Sequence, residues 1–297
     1  MKQIPEVFTV EELRAWEKEP PLHLAVLGDP VAHSASPQMH MAALKEYSMP
    51  FVYGRILVNP HDLPEAVELL RKTSFIGVNL TIPHKAAVLP LLDSISDHAR
   101  SMGAVNTLNL QAGKTEGFNT DGPGLARAVA EAFGVPLGKL RVMLLGAGGG
   151  AGRAVALQCA MEGCPSITLI NRTRSKAQEL AEDIRRLPGA KSRAIRVEVP
   201  EQAEIGDYSA SAELILQCSS LGMKEGDPSP LPKEFLHGGQ LVYDTIYSRR
   251  TRLISEASAA GAQTADGRAM LLHQGALAFE IWFGKPAPVE AMRAALQ

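Results

Sequence analysis

The segment Arg141–Ala151 constrains the fold of this 297-residue chain more than any other. It reads RVMLLGAGGGA, an apolar strand that runs into a glycine turn and then into a helix. The positions of Gly146, Gly148 and Ala151 fit the dinucleotide-binding pattern G-x-G-x-x-A in that context. Small residues let the backbone approach a pyrophosphate, which N–H groups at the helix N-terminus then bind. A tight turn without a ligand is the alternative, and the flanking strand and helix favour the nucleotide site.

The end of the next predicted strand indicates which dinucleotide binds. An NAD site places Asp or Glu there to bind the ribose 2′-hydroxyl. This chain instead reads NRTRSK over residues 171–176, with no acid before Glu179. Guanidinium and ammonium groups suit a 2′-phosphate, although a solvated basic loop that opens a helix would look the same. Because the loop follows the glycine turn at the right distance, the sequence predicts NADP as the cofactor.

Short apolar runs alternate with longer amphipathic ones in both halves of the chain, which is typical of βαβ units with parallel strands. At about 150 residues per domain, the length suggests two domains. Predicted strands lie at residues 24–27, 51–58, 75–80, 141–145, 167–170, 214–217 and 240–244. Predicted helices lie at residues 36–47, 62–72, 123–133, 175–186 and 266–283. Composition does not indicate which half the last helix joins.

Composition and charge exclude several classes of protein. Lys and Arg number 30 against 32 Asp and Glu, a net charge of −2, so we expect no nucleic-acid or membrane partner. The longest uncharged apolar stretch is far short of the ~20 residues that a membrane span needs, and the acidic N-terminus is unlike a signal peptide. Three scattered cysteines (Cys159, Cys164 and Cys218) predict reduced core thiols in a cytoplasmic protein and no metal site.

The N-terminal residues 1–20 look like an addition to the first domain. Thr9 and Glu12 form a capping-box pattern ahead of a short helix that runs through Trp16, and Pro20-Pro21 ends it. The sequence does not indicate whether this segment packs on the domain or serves a partner.

Two motifs of the first half carry polar residues beyond what a sheet requires. In HSASP, residues 33–37, Ser36 reads as an ordinary N-cap with Pro37 at the first helical position. Two hydroxyls at a helix N-terminus also suit a carboxylate. In GVNLTIPHK, residues 77–85, Pro83 predicts a helix start with Lys85 in the first turn. A cation there faces the positive end of the helix dipole, which fits either a solvated surface lysine or a group that exchanges protons.

Two further segments, GAVNT over residues 103–107 and GFNTDG over residues 117–122, read as short polar turns. Together with the motifs above, they resemble the shikimate dehydrogenase family, including its shikimate/quinate variants. The shared motifs are H-S-x-S-P, N-x-T-x-P-x-K, G-A-V-N-T, N-T-D-x-x-G, the G-A-G-G loop, N-R-T, and the closing MLLHQG with F-E-x-W. They occur in order from about Leu24 to Gly284.

The resemblance implies an α/β fold with two domains and an active-site cleft between them. Residues 1–122 and 263–297 would form the substrate domain, and residues 123–262 a Rossmann-type NADP domain. The resemblance implies that Ser34 and Ser36 bind the substrate carboxylate and that Tyr247 lies nearby. Ring hydroxyls would be bound by Asn79, Thr81, Lys85, Asn106, Asp121 and Gln274. Lys85 and Asp121 would be the catalytic pair.

The same resemblance implies the cofactor-binding residues. The pyrophosphate would be held by Gly146, Ala147, Gly148, Gly149, Gly150 and Ala151. Asn171, Arg172, Thr173 and Lys176 would lie at the 2′-phosphate, with Lys176 standing where the family often has Arg and Arg174 sharing the role. Further cofactor contacts would come from Ser219, Gly267 and Met270.

The implied activity is the reversible reduction of 3-dehydroshikimate to shikimate with NADP, a step toward chorismate and the aromatic amino acids. Alternatives are a broader quinate/shikimate dehydrogenase that also uses NAD, a paralogue acting on aminoshikimate or a related compound, and a catalytically silent ligand-sensing paralogue. The presence of Lys85 and Asp121 disfavours the silent paralogue. The resemblance leaves a homodimer open as the assembly.

The chain departs from the family pattern at three places. Met41 stands where the family usually has Asn, QCSS over residues 217–220 replaces N-A-T-S, and Ser248 follows Tyr247 where Pro is common. These changes leave the catalytic pair intact. They put the nicotinamide side of the pocket, and with it substrate preference, in question.

Overall fold

A computed structural model describes residues 7–16, 21–111, 113–187 and 195–296. Contacts divide the chain into two compact units, Met1–Thr120 with Leu272–Gln297, and Asp121–Leu271. Among the described residues, no helix is long and apolar enough to cross a membrane. The same residues contain no group of three or more His, Cys, Asp and Glu side chains that could hold a metal ion.

The first unit is built on a seven-stranded sheet with the strand order β1-β3-β2-β4-β6-β7-β5. Its strands are β1 (Phe8–Thr9), β2 (Leu24–Gly28), β3 (Tyr53–Leu57), β4 (Gly77–Leu80), β5 (Ser94–Ile95), β6 (Thr107–Gln111) and β7 (Lys114–Phe118). Its first helices are α1 (Val10–Ala15), α2 (Ser36–Glu46), α3 (Leu63–Lys72), α4 (His84–Ala87) and α5 (Asp97–Met102). Apolar residues cover both faces of the sheet, as expected for strands joined by helical crossovers.

The sheet of the first unit is parallel only in part. Strands β1 to β4 run parallel, whereas β6 runs antiparallel to both β4 and β7. The prediction of two short polar turns is therefore wrong for Thr107 and for Gly117–Phe118, which lie in strands. Asn, Thr and Gly are turn-forming residues by propensity, and here tertiary packing overrides it. A side chain on Gly117 would meet Leu92 and Val105, so the glycine lets the hairpin pack closely.

The N-terminal segment is part of this core rather than an addition to it. Thr9 caps α1, and its side chain and that of Glu12 form the predicted capping box. Phe8, Val10 and Leu13 are buried, and β1 extends the sheet beside β3. Residues 1–6 and 17–20, including the predicted Pro20 stop, lie outside the described residues.

The second unit is a six-stranded, fully parallel sheet. Its strands are β8 (Val142–Leu145), β9 (Ser166–Ile170), β10 (Arg196–Glu198), β11 (Leu214–Gln217), β12 (Leu241–Asp244) and β13 (Gln263–Ala265). Its helices are α6 (Asp121–Phe133), α7 (Gly150–Glu162), α8 (Arg174–Arg186), α9 (Ile205–Ser211) and α10 (Arg252–Ala259). The order β10-β9-β8-β11-β12-β13 is 3-2-1-4-5-6 in chain order, the doubly wound Rossmann arrangement. The α/β fold class is confirmed.

Two helices complete the chain, α11 (Arg268–Phe283) and α12 (Val289–Ala294). The division between the units falls within the first turn of α11, between Leu271 and Leu272, so most of this helix belongs to the first unit. There Phe279 and Trp282 are buried, and the Trp282 indole donates to the Leu108 carbonyl at 2.9 Å.

The three cysteines are free and buried, as predicted.

Candidate active site

The glycine loop follows β8, at the point where the strand order of the second sheet reverses. Gly146 has φ of +90°, and a Cβ there would lie 2.7 Å from the backbone nitrogen of Ser219. A Cβ on Gly148 would overlap the Asn171 side chain, and one on Gly152 would overlap the Gly146 carbonyl oxygen. Only glycine fits these three positions without a shift. The predicted pattern ends with a small residue at Ala151, but the third position with no room for a side chain is the next residue, Gly152.

This loop leaves a helix N-terminus without a side-chain cap. Gly149 is the N-cap of the 13-residue helix α7 and has no side chain to accept from the first helical N–H groups. Gly149, Gly150 and Ala151 are exposed. Uncapped N–H groups at the positive end of a helix bind anions such as a pyrophosphate. The chain thus provides a cradle of the right chemistry for a dinucleotide.

The tip of β9 lies directly beside the glycine loop. The Asn171 side chain accepts from the Gly148 N–H at 3.0 Å and donates to the Thr173 carbonyl at 2.8 Å. The Thr173 carbonyl also accepts from the Lys176 N–H at 3.1 Å. Asn171 therefore holds the loop of residues 171–176 against the phosphate cradle.

The three basic side chains of this loop differ in their contacts. Arg174 donates to the Val199 carbonyl at 2.9 Å and pairs with Glu201 at 3.0 Å, so it is engaged with the neighbouring segment. Arg172 and Lys176 are exposed and form no ion pair within the described ranges. These two cations are the ones available for a 2′-phosphate.

The residues after β11 depart from the family pattern and form a closed network. Gln217 is fully buried; its side chain donates to the Leu221 carbonyl at 2.7 Å and accepts from the Ser219 N–H at 3.1 Å. The Ser219 hydroxyl accepts from the Leu221 N–H at 3.2 Å. Gln217 thereby fixes Ser219, the residue that packs on Gly146. This role of Gln217 was not predicted.

Tyr247 lies on an exposed loop between β12 and α10. The base of this loop is fixed by the buried Asp244, which accepts from the Thr251 hydroxyl at 2.7 Å and from the Ile246 N–H at 3.0 Å. Burial raises the pKa of Asp244 above its usual value, while the hydrogen bond from Thr251 opposes that rise. Tyr247 itself is 44% exposed.

Gly267 and Met270 lie next to that loop. A Cβ on Gly267 would overlap the Thr245 carbonyl oxygen, and the Met270 N–H donates to the Tyr243 hydroxyl at 3.1 Å. The start of α11 therefore packs tightly against the end of β12.

Asn79 is the centre of a buried polar network in the first unit. Its side-chain oxygen accepts from the Tyr53 hydroxyl at 2.8 Å, and its amide donates to the Thr107 hydroxyl at 3.1 Å and to the Asn106 carbonyl at 3.3 Å. Burial raises the pKa of Tyr53 well above its usual value, and a hydrogen bond with Ser36 opposes that rise. Tyr53 thus holds the side chain of Asn79, a residue predicted at the substrate.

Asn106 fixes the start of the segment that leads to Asp121. Its side chain donates to the Thr120 hydroxyl at 2.9 Å and accepts from the Thr120 N–H at 2.8 Å. The next residue, Asp121, begins α6. Asn106 is 2% exposed, and this structural role was not anticipated from the sequence.

The HSASP turn differs from its prediction in one respect. Ser36 is not the N-cap but the first helical residue, and the N-cap is Ala35. The Ser36 N–H donates to the Ser34 hydroxyl oxygen at 3.3 Å, and no side chain caps the helix at Ala35. Ser36 is buried.

Lys85 lies in the first turn of α4, as predicted. This helix has only four residues, so the dipole that it presents to Lys85 is small. The Lys85 carbonyl accepts from the Val105 N–H at 2.8 Å, and Thr81 is tied to β2 through its own N–H, which donates to Leu27 at 2.9 Å. Both side chains are half-buried. The Gln274 side chain is 9% exposed on α11.

His40 was not predicted as a site residue, yet it lies behind this network. Its ring stacks on Tyr53 with centroids 4.5 Å apart and also contacts Trp282. Both ring nitrogens are buried without a hydrogen-bond partner among the described residues. Burial lowers the pKa of His40 to about 3, so the ring is neutral at physiological pH.

Family models match three parts of the chain. They describe a shikimate dehydrogenase substrate binding domain over residues 26–108, a shikimate / quinate 5-dehydrogenase over residues 127–215, and a shikimate 5′-dehydrogenase C-terminal domain over residues 267–297.

Individual proteins match over nearly the full length. The chain is 44% identical to the shikimate dehydrogenase (NADP(+)) of Symbiobacterium thermophilum, over 95% of this chain and 96% of the relative. It is 42% identical to that of Methanopyrus kandleri, over 92% and 94%. The crystal structure of Thermus thermophilus shikimate 5-dehydrogenase in complex with NADP(H) and shikimate superposes with a TM-score of 0.81, at 37% identity over 93% of this chain and 98% of that one. On this combination of motifs, fold and full-length identity, the chain belongs to the shikimate dehydrogenase family.

Proposed function

We propose that this chain is an NADP-dependent shikimate dehydrogenase that reduces 3-dehydroshikimate to shikimate reversibly. The observation that carries the proposal is the contact of Asn171 with Gly148, which joins an uncapped phosphate cradle to a tip that has two exposed cations and no acid. Full-length relatives at over 40% identity, named as NADP-dependent shikimate dehydrogenases, support the same assignment.

The second unit would hold the cofactor. The loop from Gly146 to Ala151 would bind the pyrophosphate through backbone N–H groups, because four of its six residues are glycines without a side chain. Arg172 and Lys176, with Asn171 and Thr173, would bind the 2′-phosphate through charge-assisted hydrogen bonds. Ser219, Gly267 and Met270 would complete the contacts. Residues 123–262 form the cofactor domain in this proposal.

The first unit would hold the substrate. The hydroxyls of Ser34 and Ser36 would bind the carboxylate, with Tyr247 nearby. The ring hydroxyls would be bound by Asn79, Thr81, Lys85, Asn106, Asp121 and Gln274. The proposed substrate domain comprises residues 1–122 and 263–297, which adds to the first unit residues 121–122 and 263–271 of the second unit. The support is that hydrogen bonds hold the Asn79 side chain on Tyr53 and Thr107, and the Asn106 side chain on Thr120.

Lys85 and Asp121 are the proposed catalytic residues. When bound, the cofactor supplies or accepts the hydride at its nicotinamide ring. Lys85 Nζ donates a proton to the alkoxide that develops at the ring carbonyl, and takes it back in the oxidation direction. Asp121 accepts a hydrogen bond from the reacting hydroxyl and orients the ammonium group.

The test is reduction of the nicotinamide, followed by absorbance, with shikimate and quinate crossed with NADP and NAD. Fast reduction with shikimate and NADP alone is the expected result. Comparable rates with quinate or NAD would instead indicate the broader quinate/shikimate enzyme. Folded protein that binds NADP but reduces none with either substrate would contradict the proposal and direct attention to residues 217–220.

We further propose a cytoplasmic location and a homodimer as the assembly. Light scattering coupled to size-exclusion chromatography tests the second point: a mass near twice 31.8 kDa supports the dimer, and a mass near 31.8 kDa contradicts it.

A further inference from the structure

Arg55 is a charged residue in the middle of an otherwise apolar strand. It lies on β3, where it pairs with Val26 of β2, and it is only 9% exposed. Removing a guanidinium from water costs several kcal/mol unless charges and hydrogen bonds compensate for the lost hydration.

In the described part of the chain, no carboxylate pairs with this charge. Within residues 7–16, 21–111, 113–187 and 195–296, Arg55 forms no ion pair. Its hydrogen bonds go to neutral oxygens: Nε and Nη2 donate to the Ser34 carbonyl at 3.1 and 2.7 Å, and Nη2 donates to the Gln38 side chain at 3.4 Å. The two N–H groups of Nη1 take no part in these bonds, and Nη1 is not among the buried polar atoms that lack a partner. A net positive charge with open donors remains.

This charge lies directly beneath the turn proposed for the substrate carboxylate. Its acceptor is the carbonyl of Ser34, whose hydroxyl is one of the two carboxylate-binding groups. Because the carbonyl and the following N–H of a trans peptide point in opposite directions, fixing the Ser34 carbonyl on Arg55 turns the Ala35 N–H away from it. Arg55 therefore both orients the turn and places an unpaired cation behind it.

We propose that Arg55 is a specificity-determining residue that selects a carboxylate-bearing substrate. The inference deepens the proposed function and rests on it. The substrate carboxylate supplies the counter-ion of Arg55, and the hydroxyls of Ser34 and Ser36 fix the position of that carboxylate. Arg55 is a positioning and electrostatic residue, distinct from the groups that exchange protons.

The experiment compares shikimate with its neutral carboxamide, which has the same ring and hydroxyls. KM and kcat with NADP, and Kd by calorimetry, are measured for both ligands on the wild type, Arg55→Gln and Arg55→Lys. Gln keeps a donor for the Ser34 carbonyl but no charge, and Lys keeps the charge but not the two-pronged hydrogen bond. Lys72→Gln, an exposed site paired with Glu68, is the control for the change in net charge.

The wild type should prefer shikimate to the carboxamide, and Arg55→Gln should raise the KM and Kd for shikimate about 10- to 100-fold with little change in kcat or in carboxamide binding. Arg55→Lys should keep the preference while weakening both ligands equally. Thermal unfolding identifies any variant that fails to fold. If one variant fails, the wild-type preference and the other variant still test the inference.

A structural role alone would weaken shikimate and carboxamide equally in Arg55→Gln, and that outcome would overturn the inference. A wild type with no preference for the carboxylate would also overturn it. Either result leaves shikimate oxidation by the wild type intact, so failure of the inference is distinguishable from failure of the proposed function, in which the wild type oxidises no shikimate.

Discussion

Asn171 at the tip of β9 accepts a hydrogen bond from the backbone of Gly148 at 3.0 Å. This bond connects the two parts of the cofactor site that the sequence presents separately, the glycine loop and the basic tip. A side chain at position 148 would displace Asn171, so the same glycine serves the phosphate cradle and the placement of the tip.

Arg172→Ala should raise the KM for NADP about 10- to 100-fold, since hydrogen bonds to a charged group contribute ~1.5–3 kcal/mol each. The KM for NAD, which lacks the 2′-phosphate, should stay nearly unchanged. Arg174→Ala is the matched control, because Arg174 pairs with Glu201 instead. Steady-state kinetics with both cofactors decide the matter, and an equal loss with NADP and NAD would refute the assignment of Arg172.

Lys85→Ala should lower kcat by roughly 10²–10⁴-fold, the usual contribution of positioned acid–base catalysis. The Kd for shikimate should change much less, because the lost interaction acts mainly in the transition state. Lys72→Ala removes an exposed lysine of the same unit and should leave turnover unchanged. Near-wild-type turnover in Lys85→Ala, with NADP affinity intact, would remove Lys85 from its proposed role.

His40→Phe should make the first unit less sensitive to acid. The pKa of His40 is lowered to about 3 by burial, so between about pH 6.5 and pH 3 the unfolded chain binds a proton that the folded chain does not. The stability due to the neutral ring is therefore complete above pH 6.5 and is lost as the pH falls. Between pH 6.5 and pH 5 the loss is about 2 kcal/mol.

Urea unfolding at several pH values measures this effect. Phe keeps the stacking on Tyr53 but cannot titrate, so the free energy of unfolding of the variant should fall less steeply with acid than that of the wild type. The pKa values of His23 and His84 are also lowered by burial and contribute to both proteins alike. Identical slopes for wild type and variant would contradict the account of His40.

Gly152→Ala should destabilise the protein by ~1–3 kcal/mol, the range for an over-packed site, because the new Cβ would overlap the Gly146 carbonyl oxygen. Gly150→Ala is the matched comparison: a Cβ there meets no atom within 4 Å, and Ala favours helix over Gly. Thermal unfolding should separate the two variants, with only Gly152→Ala lowering Tm. Equal Tm values would show that the loop relaxes around the extra methyl group.

The four central strands of the second unit were predictable from the sequence, whereas the edge strands β10 and β13 and the helices α9 and α10 were missed. Strands such as Leu214–Gln217 are continuous apolar runs bounded by polar residues, and the glycine loop marks the start of α7. In the first unit the β6–β7 hairpin was missed, because Thr, Asn and Gly suggest turns unless their tertiary partners are known. The register of Thr107 opposite Asn79 depends on a sheet that local sequence does not encode.

In the candidate site, too, some residues were predicted from the sequence and others were missed. Motifs identified Asn79, Asn106 and Lys85, because their spacing is local. Tyr53, Arg55 and Gln217 were missed, since each acts on residues that are distant in the chain or through a closed side-chain network. An arginine in the middle of the apolar strand after Phe51 was the one local signal that could have been followed.

Reduction of 3-dehydroshikimate by NADPH and by NADH, with the product identified by mass spectrometry, tests the central claim most directly. We expect shikimate as the product and a kcat/KM at least about tenfold higher with NADPH, since Arg172 and Lys176 gain their partner only in the phosphorylated cofactor. Absence of shikimate, or equal efficiency with NADH, would contradict the account.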